Sequence, residues 1–171
     1  AGATSYPANV LQSLPDLRVL ARSGVGFDKV DVPAATANDV VVTITPNSNY
    51  EAVAEHAMAL ILALSKFVVS ADKKMRLGDW PNEPRRPIRG STLGIVGLGR
   101  IGKSLAVRAQ AMKMQVIATE SMPDEAFVEQ HGIELMSLED LLRRANNVSL
   151  HCPLSDDTRG LINSETLDLM R

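Results

Sequence analysis

The spacing of hydrophobic positions along this chain changes several times, and each change marks a new element. Leu17 to Ala21 (LRVLA) is a short apolar run, the pattern of a buried strand. Ser23-Gly24-Val25-Gly26 follows as a tight turn, because glycine adopts backbone angles that other residues avoid. Val30 to Ala37 predicts a short helix. Val40 to Ile44 (VVVTI) is β-branched and apolar, again a buried strand, and Thr45-Pro46-Asn47 breaks the chain after it. From Asn49 the spacing becomes helical. Val53, Ala54, Ala57, Met58, Leu60, Ile61 and Leu64 recur on that period, and the pattern persists toward Met75. One long helix is expected, apolar on more than one side and therefore covered by two bodies, such as two domains or two subunits. Gly78 to Gly90 (GDWPNEPRRPIRG) is studded with prolines and arginines and reads as an exposed connection.

A regular alternation occupies the rest. Thr92 to Val96 is a strand, Ile101 to Met112 a helix, Gln115 to Thr119 a strand and Asp124 to His131 a helix. Ile133 to Met136 is a short strand. Ser137 caps a helix running through Ala145, with Asp140 at the capping-box position. Asn147 to His151 is a strand, and Asn163 or Ser164 caps a last helix ending near Met170. Strands alternating with helices pair in parallel and place helices on both faces of one sheet. The fold class expected is α/β, a Rossmann-type doubly wound parallel sheet.

Composition narrows the partners. A formal net charge of −2, with no Lys- or Arg-rich run, argues against nucleic acid and anionic membrane. The longest apolar stretch, Ala57 to Leu64, is too short to span a bilayer, and the first residues lack the pattern of a signal peptide. A single cysteine, Cys152, excludes a disulfide framework and fits a reducing, cytoplasmic setting. No His, Cys or acidic residues stand at a convincing metal-binding spacing, so no metal site is assigned.

The strongest chemical signal is Gly97-Leu98-Gly99-Arg100-Ile101-Gly102. A strand leads directly into it and a helix leaves it, which is the context that gives the motif meaning. Gly97 makes the tight turn, Gly99 lets backbone approach a diphosphate, and Gly102 lets helix and strand pack closely. The helix start then offers unpaired N–H groups to phosphate. Arg100 sits at the exposed point of the turn. Glu120 ends the next strand, roughly 20 residues on, where a carboxylate accepts hydrogen bonds from ribose hydroxyls and repels a 2′-phosphate. This favours NAD over NADP.

His151-Cys152-Pro153 ends another strand of the same sheet and should border the same ligand. For His151 the competing reading is an ordinary hydrogen-bonded histidine at a strand end. Cys152 reads as a small packing residue near the cofactor, since nothing around it argues for an activated thiol. His56 reads as a packing or helix-contact residue and His131 as a helix end. The SGVG turn has the form of an anion-binding nest, though an ordinary strand-to-helix turn has the same sequence.

These pieces, in this order, resemble the D-2-hydroxyacid dehydrogenase family, the phosphoglycerate dehydrogenase group in particular. The resemblance runs through LRVLARSGVGFDKVDVPAA, VVVTITPNSNYEAVAEHAMALILAL, GSTLGIVGLGRIGKSLAVRAQAMKMQVIA and VSLHCPLSDDTRGLINSETLDLM. It implies a two-domain enzyme, usually a dimer, that transfers hydride between NAD and a 2-hydroxy or 2-keto acid. 3-Phosphoglycerate, and with it serine biosynthesis, is the favoured assignment. Residues 1–45 then belong to part of a flavodoxin-like substrate domain, 46–89 to a hinge and dimer helix with its exposed connection, and 90–171 to a C-terminally incomplete NAD-binding domain. The resemblance assigns the substrate carboxylate to the backbone amides of Gly24, Val25 and Gly26, with Val25 also bordering the nicotinamide. It assigns the diphosphate to Gly97, Gly99, Arg100, Ile101 and Gly102, and the ribose to Glu120, where the family usually has Asp. His151, Cys152 and Pro153 line the adenosine side.

The resemblance also implies a truncated chain. Family members run longer at both ends, and their catalytic arginine (in an NxARG turn), acid and histidine follow the LDLM helix. None of the three is among these residues, so no catalytic residue is assigned and the 171-residue chain is expected to be inactive alone. Two other readings stay open. One is an NAD-sensing protein like the co-repressors that resemble this family. The other is a relative of the S-adenosylhomocysteine hydrolases, which the SGVG and VAEH blocks fit poorly.

Overall fold

A computed structural model describes residues 4–82, 84–85 and 87–170. The chain divides into two compact units, Ala1–Tyr50 and Glu51–Arg171.

In the first unit, α1 (Ala8–Gln12), β1 (Val19–Ala21), α2 (Val32–Ala37) and β2 (Val41–Thr43) follow one another, and β1 pairs with β2 in parallel. Helix α1 was not anticipated from the sequence. Helix α2 starts later than expected because Asp31 caps it, its Oδ1 accepting the Ala34 N–H at 2.9 Å. Leu11, Leu20, Val30, Ala35 and Val40 form the core of this unit. The two strands were expected to be buried, and they are so only in part: Leu20 is buried and Val42 packs against the same core. Val19 and Val41 are more than half exposed. A two-stranded sheet has few layers to cover it, and within this unit the helices α1 and α2 join only the core that contains Leu20 and Val40.

The second unit opens with α3 (Tyr50–Ser65) and α4 (Val68–Arg76). A single long helix was expected here. Instead the two helices meet at a 59° bend. Phe67 carries the bend in the left-handed region, at φ 54°. No glycine or proline marks the spot in the sequence. The local sequence is nevertheless a weak helix former, since Phe67, Val68 and Val69 are aromatic or β-branched. One face of α3 buries Ala54, Met58 and Ile61, while Leu60 and Leu64 stand exposed. The 78–90 connection carries no helix or strand among its described residues, and Glu83 and Arg86 lie outside them. Ile88 is an exception to its exposure and is buried in the core.

Four parallel strands follow in the order β5-β4-β3-β6. These are β3 (Thr92–Val96), β4 (Gln115–Thr119), β5 (Glu134–Leu135) and β6 (Asn147–Leu150). Between them run α5 (Arg100–Ala111), α6 (Glu125–His131) and α7 (Leu138–Arg144), and α8 (Ser164–Asp168) comes last. Side chains alternate across the sheet with the period of a strand. Leu93 and Ile95 join Leu105, Ala106 and Ala109 of α5 on one face. Val96 and Ile117 join Leu141, Leu142 and Ala145 on the other. Gly94 faces that second layer, where an added Cβ would lie 2.5 Å from Leu141 Cδ2. Helices thus cover both faces, and the fold is the expected doubly wound α/β sheet. No single helix among the described residues is long and apolar enough to cross a membrane.

Ser137 caps α7 by accepting the Asp140 N–H, but Asp140 does not complete the capping box by accepting the Ser137 N–H. Its carboxylate instead accepts the Ser137 hydroxyl at 2.9 Å. The full reciprocal box occurs at α8, between Asn163 and Thr166.

Candidate functional site

The carboxyl ends of β3, β4 and β6 meet where strand order reverses, with β3 between β4 and β6. Parallel sheets hold ligands at this switch point. Here a cleft of about 390 Å³ is lined by Val96, Gly97 and Gly99 from the first turn, Thr119 to Ser121 from β4, and His151 to Pro153 from β6. Leu138, Ser155, Asp157, Thr158 and Leu161 complete it. Gly97, Gly99, Glu120, His151, Cys152 and Pro153, assigned from sequence to the cofactor, are therefore brought together.

Each glycine of the turn has its own reason. Gly97 has φ +94°, and a Cβ there would lie 2.5 Å from the backbone nitrogen of Cys152. A Cβ on Gly102 would lie 2.2 Å from the Gly97 carbonyl oxygen, so α5 packs on the turn itself. A Cβ on Gly99 would meet nothing within 4 Å. That side of the turn is open to a ligand.

Gly99 is the N-cap of α5, and no side chain caps this helix. By contrast Asp31, Asp124, Ser137 and Asn163 cap α2, α6, α7 and α8. The first N–H groups of a helix lack intrahelical partners, so α5 presents free donors and a positive dipole end beside the open face of Gly99. Arg100 is exposed at this helix start, and its side chain makes no hydrogen bond or ion pair among the described residues. Ile101 supplies backbone only, since its side chain packs against the core. Arg100, Ile101 and Gly102 do not line the cleft wall themselves.

Glu120 reaches back from β4 to this turn. Its Oε2 accepts the Leu98 N–H at 2.7 Å, and its Oε1 accepts the Met122 N–H at 3.1 Å and the Ser121 hydroxyl at 3.3 Å. Burial pushes its pKa up, and that is the largest single effect. The hydrogen bonds from Met122, Leu98 and Ser121 together outweigh it and hold the carboxyl below its ordinary value. Glu120 is thus an anion at neutral pH.

His151 continues the β6 ladder, its N–H donating to Val96 O at 2.7 Å, and its ring Nε2 lies 2.8 Å from Ser149 Oγ. Burial lowers its pKa, so the ring is neutral at pH 7. Cys152 is a free, half-buried thiol that lines the cleft and packs in the core layer of Leu161 and Ile162. The Ser155–Thr158 loop was not singled out from sequence. The Thr158 hydroxyl donates to Pro153 O at 2.6 Å and accepts the Ser155 N–H at 2.8 Å, folding the loop over the cleft. The Ser and Thr three residues apart were its only local sign.

In the first unit, the Gly24 N–H donates to Thr45 Oγ1 at 2.7 Å and its carbonyl accepts the Thr45 N–H. Of the SGVG turn, Val25 and Gly26 keep N–H groups without a hydrogen bond among the described residues. Nearby Arg22 has its Nε and Nη1 buried without a hydrogen-bond partner.

The remaining histidines stand apart. His56 is exposed on α3 rather than packed. His131 ends α6, where its Nδ1 lies 3.2 Å from Gln110 Oε1 and its ring centroid 4.2 Å from that of Phe127. No group of His, Cys, Asp or Glu among the described residues could hold a metal ion.

Comparison with known proteins agrees with this geometry. Residues 58–171 match the model of the D-isomer specific 2-hydroxyacid dehydrogenase NAD-binding domain. The chain is 46% identical over 167 residues to the D-3-phosphoglycerate dehydrogenase of Mycobacterium leprae, covering 96% of this chain and 32% of that protein. It is 41% identical over 172 residues to the glyoxylate reductase of Aeropyrum pernix, covering 95% of this chain and 51% of that protein. Among solved structures, the D-lactate dehydrogenase of Aquifex aeolicus complexed with NAD and lactic acid superposes with a TM-score of 0.90 at 29% identity, covering 99% of this chain and 51% of that one. The chain thus spans a third to a half of the relatives it matches. It belongs to the D-isomer specific 2-hydroxyacid dehydrogenase family and carries the NAD-binding domain of that family.

Proposed function

We propose that this chain is part of an NAD-dependent dehydrogenase that moves hydride between NAD(H) and a D-2-hydroxy or 2-keto acid, with 3-phosphoglycerate as the substrate. One observation carries the reading. The uncapped start of α5 and the open face of Gly99 stand beside the anionic Glu120, at the switch point of the sheet. A dinucleotide needs this pairing of phosphate donors and a ribose acceptor. Bound NAD would supply the hydride acceptor. The chain's own residues bind and orient it. Gly99, Arg100 and Ile101 donate to the diphosphate, Glu120 accepts from the adenosine ribose, and His151, Cys152 and Pro153 wall the adenosine.

The first unit is read as part of the substrate domain. The free N–H groups of Val25 and Gly26 suit a carboxylate, and the partly exposed guanidinium of Arg22, whose Nε and Nη1 have no hydrogen-bond partner, supplies a cation for a second anionic group. An acid carrying phosphate as well as carboxylate fits that pair, as does the identity to D-3-phosphoglycerate dehydrogenases. Residues 46–89 form the hinge and a dimer surface in this reading. The setting is cytoplasmic.

Calorimetric titration with NAD, NADP and ADP-ribose tests the cofactor half. NAD and ADP-ribose are expected to bind at least tenfold tighter than NADP, and equal binding of NADP would overturn the role of Glu120. Turnover tests the chemistry. The 171 residues are expected to show no reduction of 3-phosphohydroxypyruvate by NADH. Reduction by this chain would overturn the assignment of its catalytic groups elsewhere. A full-length protein that oxidises glycolate but not 3-phosphoglycerate would overturn the substrate.

A further inference from the structure

The hydrogen bond from Leu98 to Glu120 crosses from one strand end to another. The donor is a backbone N–H in the middle of the phosphate turn, and the acceptor is the residue read as the ribose ligand. Leu98 is the residue between Gly97 and Gly99, so its N–H orients the Gly97–Leu98 peptide, one residue before the open face. The turn is otherwise held from behind. The Gly97 N–H donates to Thr119 O at 2.9 Å, and the Leu98 side chain is buried in the core. Besides the close packing of Gly97 on Cys152, the bond to Glu120 is the one hydrogen bond to the Leu98 N–H among the described residues.

A carboxylate has about four acceptor positions, two on each oxygen. On Glu120, Oε1 takes the Met122 N–H and the Ser121 hydroxyl, while Oε2 takes only the Leu98 N–H. One position on Oε2 is left for a ribose hydroxyl. A second becomes available when the Ser121 hydroxyl, the longest of the three contacts, rotates away. The turn and the ribose can therefore be served together, on different lone pairs.

The geometry points to a second role for Glu120: it is a positioning residue for the phosphate turn, and through Leu98 it sets affinity for the diphosphate independently of the ribose. This rests on the NAD site proposed above. It differs from the ribose role in what it predicts for ligands that have no ribose hydroxyls to offer.

The test uses the 171-residue chain with ADP and 2′,3′-dideoxy-ADP. Glu120→Leu keeps the approximate size and removes every acceptor. It is expected to weaken dideoxy-ADP at least tenfold and to speed amide exchange at Leu98 at least tenfold in the ligand-free chain. The Ile95 amide, in the middle of β3, should keep its exchange rate and reports an intact sheet. Glu120→Gln has one acceptor oxygen for the two backbone donors. It is expected to show a smaller loss on both readouts, and it carries the test if the leucine variant does not fold. Ser121→Ala should leave Leu98 exchange unchanged. Dideoxy-ADP binding the leucine variant as tightly as the parent, with Leu98 exchange unaltered, would overturn the proposal. Parent chain that binds ADP no tighter than dideoxy-ADP would instead remove the ribose role and leave the positioning role standing.

Discussion

The carbonyl oxygen of Gly97 occupies the space where a side chain on Gly102 would begin, 2.2 Å from an ideal Cβ position. The turn and the helix it opens are therefore one packed object. Gly99, two residues from the same oxygen in sequence, faces open space. Two glycines of one motif thus serve different ends.

The first expectation separates those ends. Gly102→Ala must push α5 off the turn, and it is expected to lower stability by about 3 kcal/mol, the upper part of the overpacking range. Gly99→Ala has room for its methyl and an extended backbone at φ −70° and ψ −163°. It is expected to cost about 1 kcal/mol or less, yet to weaken NAD at least tenfold by blocking approach of the diphosphate. Urea denaturation and calorimetry on the two variants read both quantities. If Gly99→Ala bound NAD like the parent, the open face would not be the phosphate site.

A second expectation concerns the link between α3 and α5. Arg108 on α5 pairs with Glu51 and, at 3.2 Å, with Glu55, and its Nη1 also donates to Ser104 O at 3.1 Å. Ser104 Oγ in turn donates to Glu51 at 3.0 Å and is the one buried polar side chain among the described residues. Glu51 and Glu55 are four apart on one helix and repel without the cation. Arg108→Met is expected to destabilise by about 1 kcal/mol at low salt, with most of the loss gone at high salt. Denaturant midpoints at two salt concentrations check it. A loss that did not depend on salt would point to packing of the arginine stem instead.

Much of this architecture was legible in the sequence, for reasons that differ by element. The limits of β3 and β4 emerged as expected because their flanks are turns and because Leu93, Ile95, Val116 and Ala118 all face one helix layer. The glycine turn was legible because its chemistry is local: strand, glycines and helix start are contiguous. The bend at Phe67 was not, because no glycine or proline announces it and the apolar period continues across it. The exposure of Val19 and Val41 was not, because burial depends on how many layers surround a strand and not on its own composition. The Leu98–Glu120 contact was invisible for a third reason. It joins residues just past the ends of two strands through a side-chain rotamer, and no spacing rule encodes that.

His151 gives a pH expectation with a definite sign. Burial holds its folded pKa below the ordinary value of about 6.5. The unfolded chain therefore takes up the proton first as pH falls. The folded state keeps its full stability above about pH 6.5 and loses some as pH drops from there toward the folded pKa. An NMR titration of the ring should place its midpoint below 6.5. His151→Asn should flatten the stability profile in that window. A midpoint at or above 6.5 would mean that the ring is better solvated than its position in the cleft allows.

Glu120 has the opposite sign of linkage. Its folded pKa lies below the ordinary glutamate value of about 4.3, so the hydrogen bonds it accepts contribute fully above that value. They are lost as pH falls through the folded pKa. Binding of ADP is therefore expected to hold steady from neutral pH down to about pH 5 on account of this group. A fall in affinity above pH 5 that Glu120→Gln abolished would contradict it.

The last expectation concerns the bare side of α3 and α4. Leu60, Leu64, Phe67 and Val69 line one apolar hollow, with Leu64 73% exposed. Leu60 and Leu64 are among the positions that made the sequence pattern apolar on more than one side. An exposed apolar patch of contiguous large residues is costly in water unless something covers it. The proposed dimer covers it with a second copy, and a charge placed in its centre would then be buried against apolar surface. Leu64→Asp is expected to leave NAD binding unchanged, because Leu64 is not among the residues lining the nucleotide cleft, and to shift the protein to monomer. Sedimentation equilibrium of parent and variant decides it. A parent that is monomeric at all concentrations, or a variant that remains dimeric, would place the interface elsewhere.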